Sequence, residues 1–229
     1  MKPYAAYAIG AALVDTEIQV TDAELTAMNV EKGMMTLVDQ ARQRDMLTTL
    51  SDHLIRANHA SGGSAGNSMI AIAMMGAPTY MSCKVAQDAD GDIYLADLEQ
   101  SGVAHGLTAR STDGVTGKCI VLITPDAERS LNTHLGISET LSTDEVDEAA
   151  IKGSEWVYLE GYLVTSVTGH ASALKTKKFA EAHGVKTAVS FSDPGMVKFF
   201  RDNMAAMVEG GVEPVSYTHL RAHETRGNL

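Results

Sequence analysis

Residues 156–194 read WVYLEGYLVTSVTGHASALKTKKFAEAHGVKTAVSFSDP, and this stretch decides the fold class. A strand-length apolar run over residues 156–160 precedes a helix-like stretch over residues 166–183 and a second apolar run over residues 186–191. Short apolar runs on either side of an amphipathic stretch are typical of a strand–helix–strand unit. Such a unit places its two strands parallel, with a right-handed crossover through the helix.

The same alternation extends over much of the chain. Residues 67–75 and 93–100 have helical character, and the apolar residues 79–86 between them read as a strand. Asp193 before Pro194 places a capping side chain and a first-turn proline at the start of a further helix. Strands separated by helices of this size predict an α/β fold with a mostly parallel sheet.

Two regions, residues 15–39 and 107–135, contain strand candidates without helical stretches and predict a small separate sheet. In the first region, residues 15–22 and 33–39 look like paired strands with no helix between them. The second region offers three more strand candidates, residues 107–111, 118–124 and 129–135. Because ligands of open α/β sheets bind at the carboxyl ends of the strands, such a sheet suits a flap over the ligand. The alternative is an edge sheet with no part in binding.

The composition is that of an acidic globular protein. The chain has 229 residues and a net charge of −11, which disfavours binding to nucleic acid or to an anionic membrane. The apolar residues 69–75 fall far short of the ~20 residues of a membrane-spanning helix, and the apolar residues 4–14 suit a buried first strand. Cys83 and Cys119 lack metal-binding spacing, which predicts reduced, buried thiols in a cytoplasmic protein.

Residues 61–67 read SGGSAGN and open a helix-like run. Consecutive glycines allow the backbone to approach a ligand closely, and free N–H groups at a helix start bind oxygen atoms. The Asn67 side chain both donates and accepts hydrogen bonds, which suits sugar hydroxyls. The segment has neither the Gly-Lys-Ser/Thr of a phosphate-binding loop nor the glycine spacing of a dinucleotide fingerprint. It predicts a small-molecule site, and the alternative is a tight turn that binds nothing.

The SGGSAGN segment resembles the first signature of the PfkB (ribokinase-like) sugar kinases, in which a Gly-Gly pair precedes an Asn on the following helix. Other segments resemble the same family in the same order: residues 10–15 (GAALVD), 88–102 (DADGDIYLADLEQSG), 116–132 and 159–162 (LEGY). The resemblance covers residues 1–213, and these segments are most similar in sequence to bacterial adenosine-kinase-like members.

This resemblance implies a ribokinase-like three-layer α/β core with a small β-sheet lid. It also implies transfer of the γ-phosphoryl group of ATP, with Mg²⁺, to a primary hydroxyl of a nucleoside or sugar. Adenosine is the favoured acceptor, which would place the protein in purine salvage. By the resemblance, Asp15, Gly63 and Asn67 bind ribose hydroxyls, while Gly62 and Ser64 shape the turn.

The lid strands carry two further implications of the resemblance. Arg129 opens a segment, residues 129–132 (RSLN), that is similar to a lid strand of the family. Lid-sheet dimers occur in the family, so the resemblance allows a homodimer through the lid sheet. Two alternatives to an adenosine kinase stay open: a kinase for a free sugar such as ribose or fructose, and a module that binds a sugar without catalysis.

The chain departs from the family pattern at three places. Ala11 stands where nucleoside kinases of the family often carry Asn. No segment resembles the Gly-Ala-Gly-Asp motif that holds the catalytic Asp, so no residue is assigned as catalytic or as a metal ligand. Residues 214–229 (PVSYTHLRAHETRGNL) resemble translated sequencing adapter. We therefore expect a natural domain over residues 1–213, incomplete at its C-terminus, and a non-native disordered tail over residues 214–229. We further expect that this fragment lacks most of the nucleotide site and kinase activity.

Overall fold

Two β-sheets and their helices form the part of the chain that a computed structural model describes, residues 2–56, 58–107, 110–212 and 215–216. The strands are β1 (Tyr4–Ile9), β2 (Leu13–Gln19), β3 (Met35–Leu37), β4 (Asn58–Gly62), β5 (Thr79–Ser82), β6 (Val103–His105), β7 (Gly117–Ile123), β8 (Arg129–His134), β9 (Ser154–Leu159), β10 (Lys186–Ser190) and β11 (Val215–Ser216). The α-helices are α1 (Asp22–Ala27), α2 (Gln40–Thr49), α3 (Ser64–Met74), α4 (Ala89–Gln100), α5 (Glu148–Lys152), α6 (Val167–Ala182), α7 (Pro194–Phe199) and α8 (Arg201–Val208). Short 3-10 helices cover Ser51–Arg56, Gly136–Thr140, Thr143–Glu145 and Gly161–Thr165.

Within the described residues, the first sheet consists of six strands in the order β11-β10-β9-β1-β5-β6. Every pairing in it is parallel, and Tyr7 of β1 lies opposite Val157 of β9 and Tyr80 of β5. β1 therefore runs through the interior of the sheet, which explains why its sequence is almost wholly apolar. The predicted α/β fold with a mostly parallel sheet is confirmed.

Side chains alternate between the two faces of β1 and so build a three-layer core. Tyr7 and Ile9 pack in one cluster with residues of α5, α6 and α8, among them the fully buried Ala173. Ala8 faces the other way and packs with residues of α3 and α4, among them Met69. Helices thus cover both faces of the sheet, as a parallel sheet requires.

The second sheet, called the lid sheet below, has the order β3-β8-β7-β2-β4. The chain passes from the core to the lid sheet through residues 10–12, which join β1 to β2. β2 pairs antiparallel with β4 and parallel with β7. Helices α1 and α2 cover one face, where Leu25 and Met46 pack against Ile18 and Ile120. A small separate sheet was predicted and is present.

The direct pairing predicted between residues 15–22 and 33–39 is wrong. Helix α1 lies between the two strands, because Thr21 and Glu24 form a capping box that starts a helix after β2. β2 pairs with β4 and β7 instead, and β3 pairs with β8. The strands of this region therefore belong to one sheet without being neighbours.

Of the strand expected over residues 107–111, the described residues Leu107, Arg110 and Ser111 do not lie in a strand. Ser111 makes an isolated bridge to Ala86, and residues 108 and 109 lie outside the described residues. Strand β4 supplies the remaining lid strand, and its sequence NHASG lacks the alternation of apolar and polar residues that reveals a strand. The first strand also ends earlier than expected, at Ile9, so that Asp15 lies inside β2.

Two local predictions are confirmed. The Asp193 carboxylate accepts hydrogen bonds from the backbone N–H groups of Gly195 and Met196, and Pro194 is the first residue of α7. Cys83 and Cys119 are both buried and unpaired. Within the described ranges, no helix combines the length and apolar character that a membrane span needs.

The predicted disordered tail, residues 214–229, falls almost entirely outside the described residues. Within it, Val215 and Ser216 pair in parallel with Val189 and Ser190 of β10. At these two positions the backbone extends the first sheet by one short strand.

Candidate active site

A cavity of about 460 Å³ lies between the lid sheet and the start of α3, a size typical of small-molecule sites. Its lining includes five of the candidate residues named from the sequence: Asp15, Gly63, Ser64, Asn67 and Arg129. A larger cavity of about 580 Å³ lies at the carboxyl ends of β5 and β6, but none of those candidates lines it. The first cavity is therefore the candidate site.

Close packing explains both glycines of the turn between β4 and α3. A Cβ atom on Gly62 would lie 2.0 Å from Oδ1 of Asp15, which is far inside van der Waals contact. Gly63 has a φ angle of +87°, and a Cβ atom there would lie 2.5 Å from the carbonyl oxygen of Ala11. The turn thus brings β4, β2 and the start of α3 together, and larger residues do not fit.

Asp15 lies within β2, between Ala60 of β4 and Cys119 of β7. None of the residues in the described ranges donates a hydrogen bond to its carboxylate. Burial raises the pKa of Asp15 to about 6, while the nearby Arg129 guanidinium acts to lower this pKa. The carboxylate oxygens are therefore available to accept hydrogen bonds from a ligand in the cavity.

Asn67 and Ser64 both lie on the first turn of α3, but their side chains have different surroundings. The exposed Asn67 lines the cavity, where its amide is available to a ligand. The Ser64 hydroxyl donates a 2.6 Å hydrogen bond to Oε1 of Glu160. The Ser64 side chain is thus held by another part of the protein.

Glu160 is a site residue that the sequence did not single out. It follows β9, and its carboxylate accepts hydrogen bonds from the backbone N–H groups of Ala11 (2.8 Å) and Ala65 (3.2 Å) in addition to that of Ser64. Burial raises the pKa of Glu160, and these donors oppose the rise because they favour the ionised form. The signal available in the sequence was a lone acidic residue directly after a buried strand.

Arg129 begins β8 at the rim of the cavity, in the lid sheet as expected. One guanidinium nitrogen lies 2.9 Å from Oε1 of Glu17, and the two side chains are 49% and 39% exposed. An ion pair this exposed contributes little to stability. The positive charge of Arg129 acts to lower the pKa of Asp15 and so opposes the larger rise that burial causes.

Apolar side chains form most of the remaining wall. They come from three lid strands and from the segment after β8: Leu13, Met35, Leu37, Leu131 and Leu135. Tyr158 and Tyr162 add aromatic surface from the core. The cavity lining therefore combines polar side chains, Asp15 and Asn67 among them, with apolar and aromatic ones.

The described residues contain no group of three or more His, Cys, Asp or Glu side chains placed to hold a metal ion. We therefore assign none of them to Mg²⁺. The buried Cys119 thiol accepts a hydrogen bond from Thr133 at 3.3 Å, and burial raises its pKa to about 12. It is a neutral wall residue and not a nucleophile at neutral pH.

The fold and the cavity define a class of α/β protein with a parallel-sheet core, a lid sheet and a cavity between the lid sheet and the start of α3. The family described as pfkB family carbohydrate kinase matches residues 33–219. The chain belongs to this family.

Solved structures agree with the family assignment. A probable sugar kinase from Rhizobium etli CFN 42 is 28% identical, with a TM-score of 0.87 over 94% of this chain and 64% of its own. The adenosine kinase from Sinorhizobium meliloti is 30% identical, with a TM-score of 0.86 over 93% of this chain and 64% of its own.

Curated relatives are more distant. An uncharacterized sugar kinase from Archaeoglobus fulgidus is 27% identical over 125 residues, which are 55% of this chain and 47% of the relative. Ribokinase from Mus musculus is 25% identical over 126 residues, 55% of this chain and 38% of the relative. The chain thus spans about two thirds of its structural neighbours and matches less than half of these curated relatives.

Proposed function

We propose that the protein provides the acceptor site of an ATP-dependent nucleoside kinase, with adenosine as the acceptor. The observation that carries this proposal is that one cavity is lined both by the Asp15 and Asn67 side chains and by a set of apolar side chains from the lid sheet. Ribose hydroxyls suit the Asp15 carboxylate and the Asn67 amide, and a purine base suits the apolar wall of the lid sheet. The likeness to the adenosine kinase from Sinorhizobium meliloti supports the same acceptor.

In this proposal, the described residues orient the acceptor. The Asp15 carboxylate accepts hydrogen bonds from two ribose hydroxyls, and the Asn67 amide binds beside it. Holding the ribose at these points directs its primary hydroxyl towards the phosphoryl donor, and such positioning is a large part of phosphoryl-transfer catalysis. ATP supplies the phosphoryl group, and no described residue is assigned as the base.

A kinase for a free sugar is the second candidate. It is favoured by Ala11, which stands where nucleoside kinases of the family often carry Asn, and by the match to mouse ribokinase. A free sugar has no base to cover the apolar side chains of the lid sheet and would bind through the polar side chains alone. The two candidates therefore differ in whether the lid wall contributes to affinity.

Titration calorimetry of the 229-residue chain with adenosine, ribose and fructose tests the proposal. We expect adenosine to bind most tightly, and Asp15→Asn to weaken it by about tenfold or more, since hydrogen bonds to a charged group contribute about 1.5–3 kcal/mol each. Asp45→Asn, the same change on the exposed face of α2, is the matched control. Tighter binding of ribose or fructose than of adenosine would contradict the nucleoside assignment.

We also propose that two copies of the chain associate through their lid sheets. β3 and β4 are the edges of the lid sheet, and Leu37 on β3 is 47% exposed. Exposed edge strands with apolar side chains favour pairing with another chain. We expect light scattering to give a dimer mass for the chain and a monomer mass for Leu37→Lys, and a wild-type monomer at all concentrations would contradict the proposal.

A further inference from the structure

The lining of the candidate cavity offers little positive charge. Among the described residues that line it, Arg129 is the only Lys or Arg, whereas Asp15 and Glu160 both contribute carboxyl groups. A phosphate ester carries a charge of about −1.5 to −2 at neutral pH, so a phosphorylated ligand depends on Arg129 for charge compensation. The contacts of this one guanidinium therefore decide how well the cavity accepts an anion.

The ion-pair partner of Arg129 lies on the other side of β7. Side chains on the cavity face of the lid sheet lie in rows across β2, β7 and β8, and Glu17 lies opposite Val121, one row beyond Asp15. Arg129 lies opposite Ile123 in the next row, and one of its guanidinium nitrogens lies 2.9 Å from Oε1 of Glu17. The ion pair therefore crosses the strand between β2 and β8 and holds the guanidinium against a carboxylate.

Both charges of the pair act on the inside of the cavity, as the Asp15 carboxyl group shows. Burial causes the largest rise in the pKa of Asp15, and Arg129 acts to lower this pKa while Glu17 acts to raise it further. The two effects of the pair on Asp15 thus have opposite signs. Glu17 therefore offsets part of the positive charge that Arg129 presents to a ligand.

We propose that Glu17 determines specificity for the uncharged acceptor over its phosphorylated form, because it holds the Arg129 guanidinium in an ion pair. A nucleoside has no charge and binds without breaking this pair. A nucleoside 5′-phosphate either takes the guanidinium from Glu17 or stays uncompensated near Asp15, so it binds less tightly. Since product release limits the turnover of many enzymes, this preference favours the forward reaction. The inference rests on the proposed function for the identity of the acceptor.

Glu17→Gln tests the proposal because it removes the charge and keeps the size of the side chain. Calorimetry in low-salt buffer, where exposed charges act most strongly, gives the Kd for adenosine and for adenosine 5′-phosphate. We expect the variant to bind the 5′-phosphate about two- to fivefold more tightly, the strength of an exposed ion pair, with the Kd for adenosine unchanged. Glu31→Gln, the same change at an exposed residue between α1 and β3, is the matched control and should leave both Kd values unchanged. Equal changes for both ligands, or no change for the 5′-phosphate, would overturn the proposal.

A double-mutant cycle with Arg129→Gln separates the ion pair from simple repulsion of the phosphate. Once residue 129 is uncharged, Glu17 has no guanidinium to hold. We therefore expect Glu17→Gln to have almost no further effect on the Kd for adenosine 5′-phosphate in the Arg129→Gln background. An undiminished gain in that background would mean that Glu17 acts by repulsion alone, and it would overturn the proposal.

A measurement without ligand keeps the inference separate from the proposed function. A carbon-13 NMR titration of the Asp15 carboxyl group reports the charges of the pair whatever the acceptor is. We expect the pKa of Asp15 to fall in Glu17→Gln, to rise in Arg129→Gln and to stay unchanged in Glu31→Gln. An unchanged pKa of Asp15 in Glu17→Gln overturns the proposal even if the chain binds no adenosine. If the chain binds ribose or fructose instead, only the proposed function fails, and the same variants are titrated with that sugar and with its phosphate ester.

Discussion

Replacing Gly62 by Ala is a selective way to displace the Asp15 carboxylate. The added Cβ atom would lie 2.0 Å from Oδ1, 2.2 Å from Cγ and 2.5 Å from Oδ2 of Asp15. Non-bonded atoms do not approach this closely, and the group in the way is the end of a side chain that is free to rotate. Gly62 does not have a positive φ angle, so alanine suits its backbone. We therefore expect the fold to persist while Asp15 leaves its position.

The size of the effect follows from the distances. To restore ordinary contact of about 3.4 Å or more with a neighbouring carbon atom, Asp15 must move by more than about 1 Å. A hydrogen bond of about 2.8 Å to a ligand hydroxyl then becomes too long to count as one. Each hydrogen bond to a charged group contributes about 1.5–3 kcal/mol, so each bond lost raises the Kd for the acceptor by about 10- to 150-fold.

A double-mutant cycle with Asp15→Ala measures whether Gly62 acts through Asp15. Calorimetry gives the Kd for adenosine of the wild type, both single variants and the double variant, and thermal unfolding checks the fold. We expect Gly62→Ala to weaken binding in the wild type and to have almost no further effect once Asp15 is alanine, because the clash is then gone. Additive effects of the two substitutions, or an unchanged Kd for Gly62→Ala, would refute the reasoning.

Three further predictions concern the raised pKa of Asp15 and the missing motif. Adenosine affinity should fall as the pH drops below about 6, because the neutral carboxyl accepts hydrogen bonds less well, whereas Asp15→Asn should bind with no such dependence. The stability of the ligand-free protein should depend on pH in the opposite direction. Because the pKa of Asp15 in the folded protein exceeds its ordinary value of 3.8, the free energy of unfolding should fall as the pH rises from about 4 to about 6. Asp15→Asn should remove this dependence. The 229-residue chain should show no ATP turnover with adenosine in a coupled assay, and measurable turnover would contradict the expectation that it lacks the catalytic base.

The fold class was accessible from the sequence because the core elements carry local signals. The apolar runs that became β1, β9 and β10 are separated by stretches of helical length, and Asp193 and Pro194 mark a helix start by their side chains alone. For the lid sheet, the sequence indicated the regions that contain strands but not which strands pair with each other. Its neighbours β2, β7 and β4 are brought together across long stretches of chain, and no local pattern encodes that order.

The candidate site, too, could be predicted from the sequence only in part. Asp15, Gly63 and Asn67, named from the resemblance, line one cavity, and Gly62 packs directly behind Asp15. Glu160 was missed because its role depends on partners that are 149 and 96 residues away in sequence. A residue that acts through distant backbone N–H groups leaves no spacing pattern in the sequence.

The geometry also explains why small residues are concentrated where core and lid sheet meet. Gly10 lies against Glu160 and Ala65, Gly62 against Asp15, and Gly63 against Ala11, each at a distance that excludes a Cβ atom or a larger group. These contacts bring the backbone close enough for the Glu160 carboxylate to accept hydrogen bonds from the N–H groups of both Ala11 and Ala65. A substitution at Gly62 meets only the Asp15 side chain and should change acceptor affinity before it changes the fold, whereas Gly63 has a positive φ angle and a backbone carbonyl at 2.5 Å, so a substitution there should strain the fold as well.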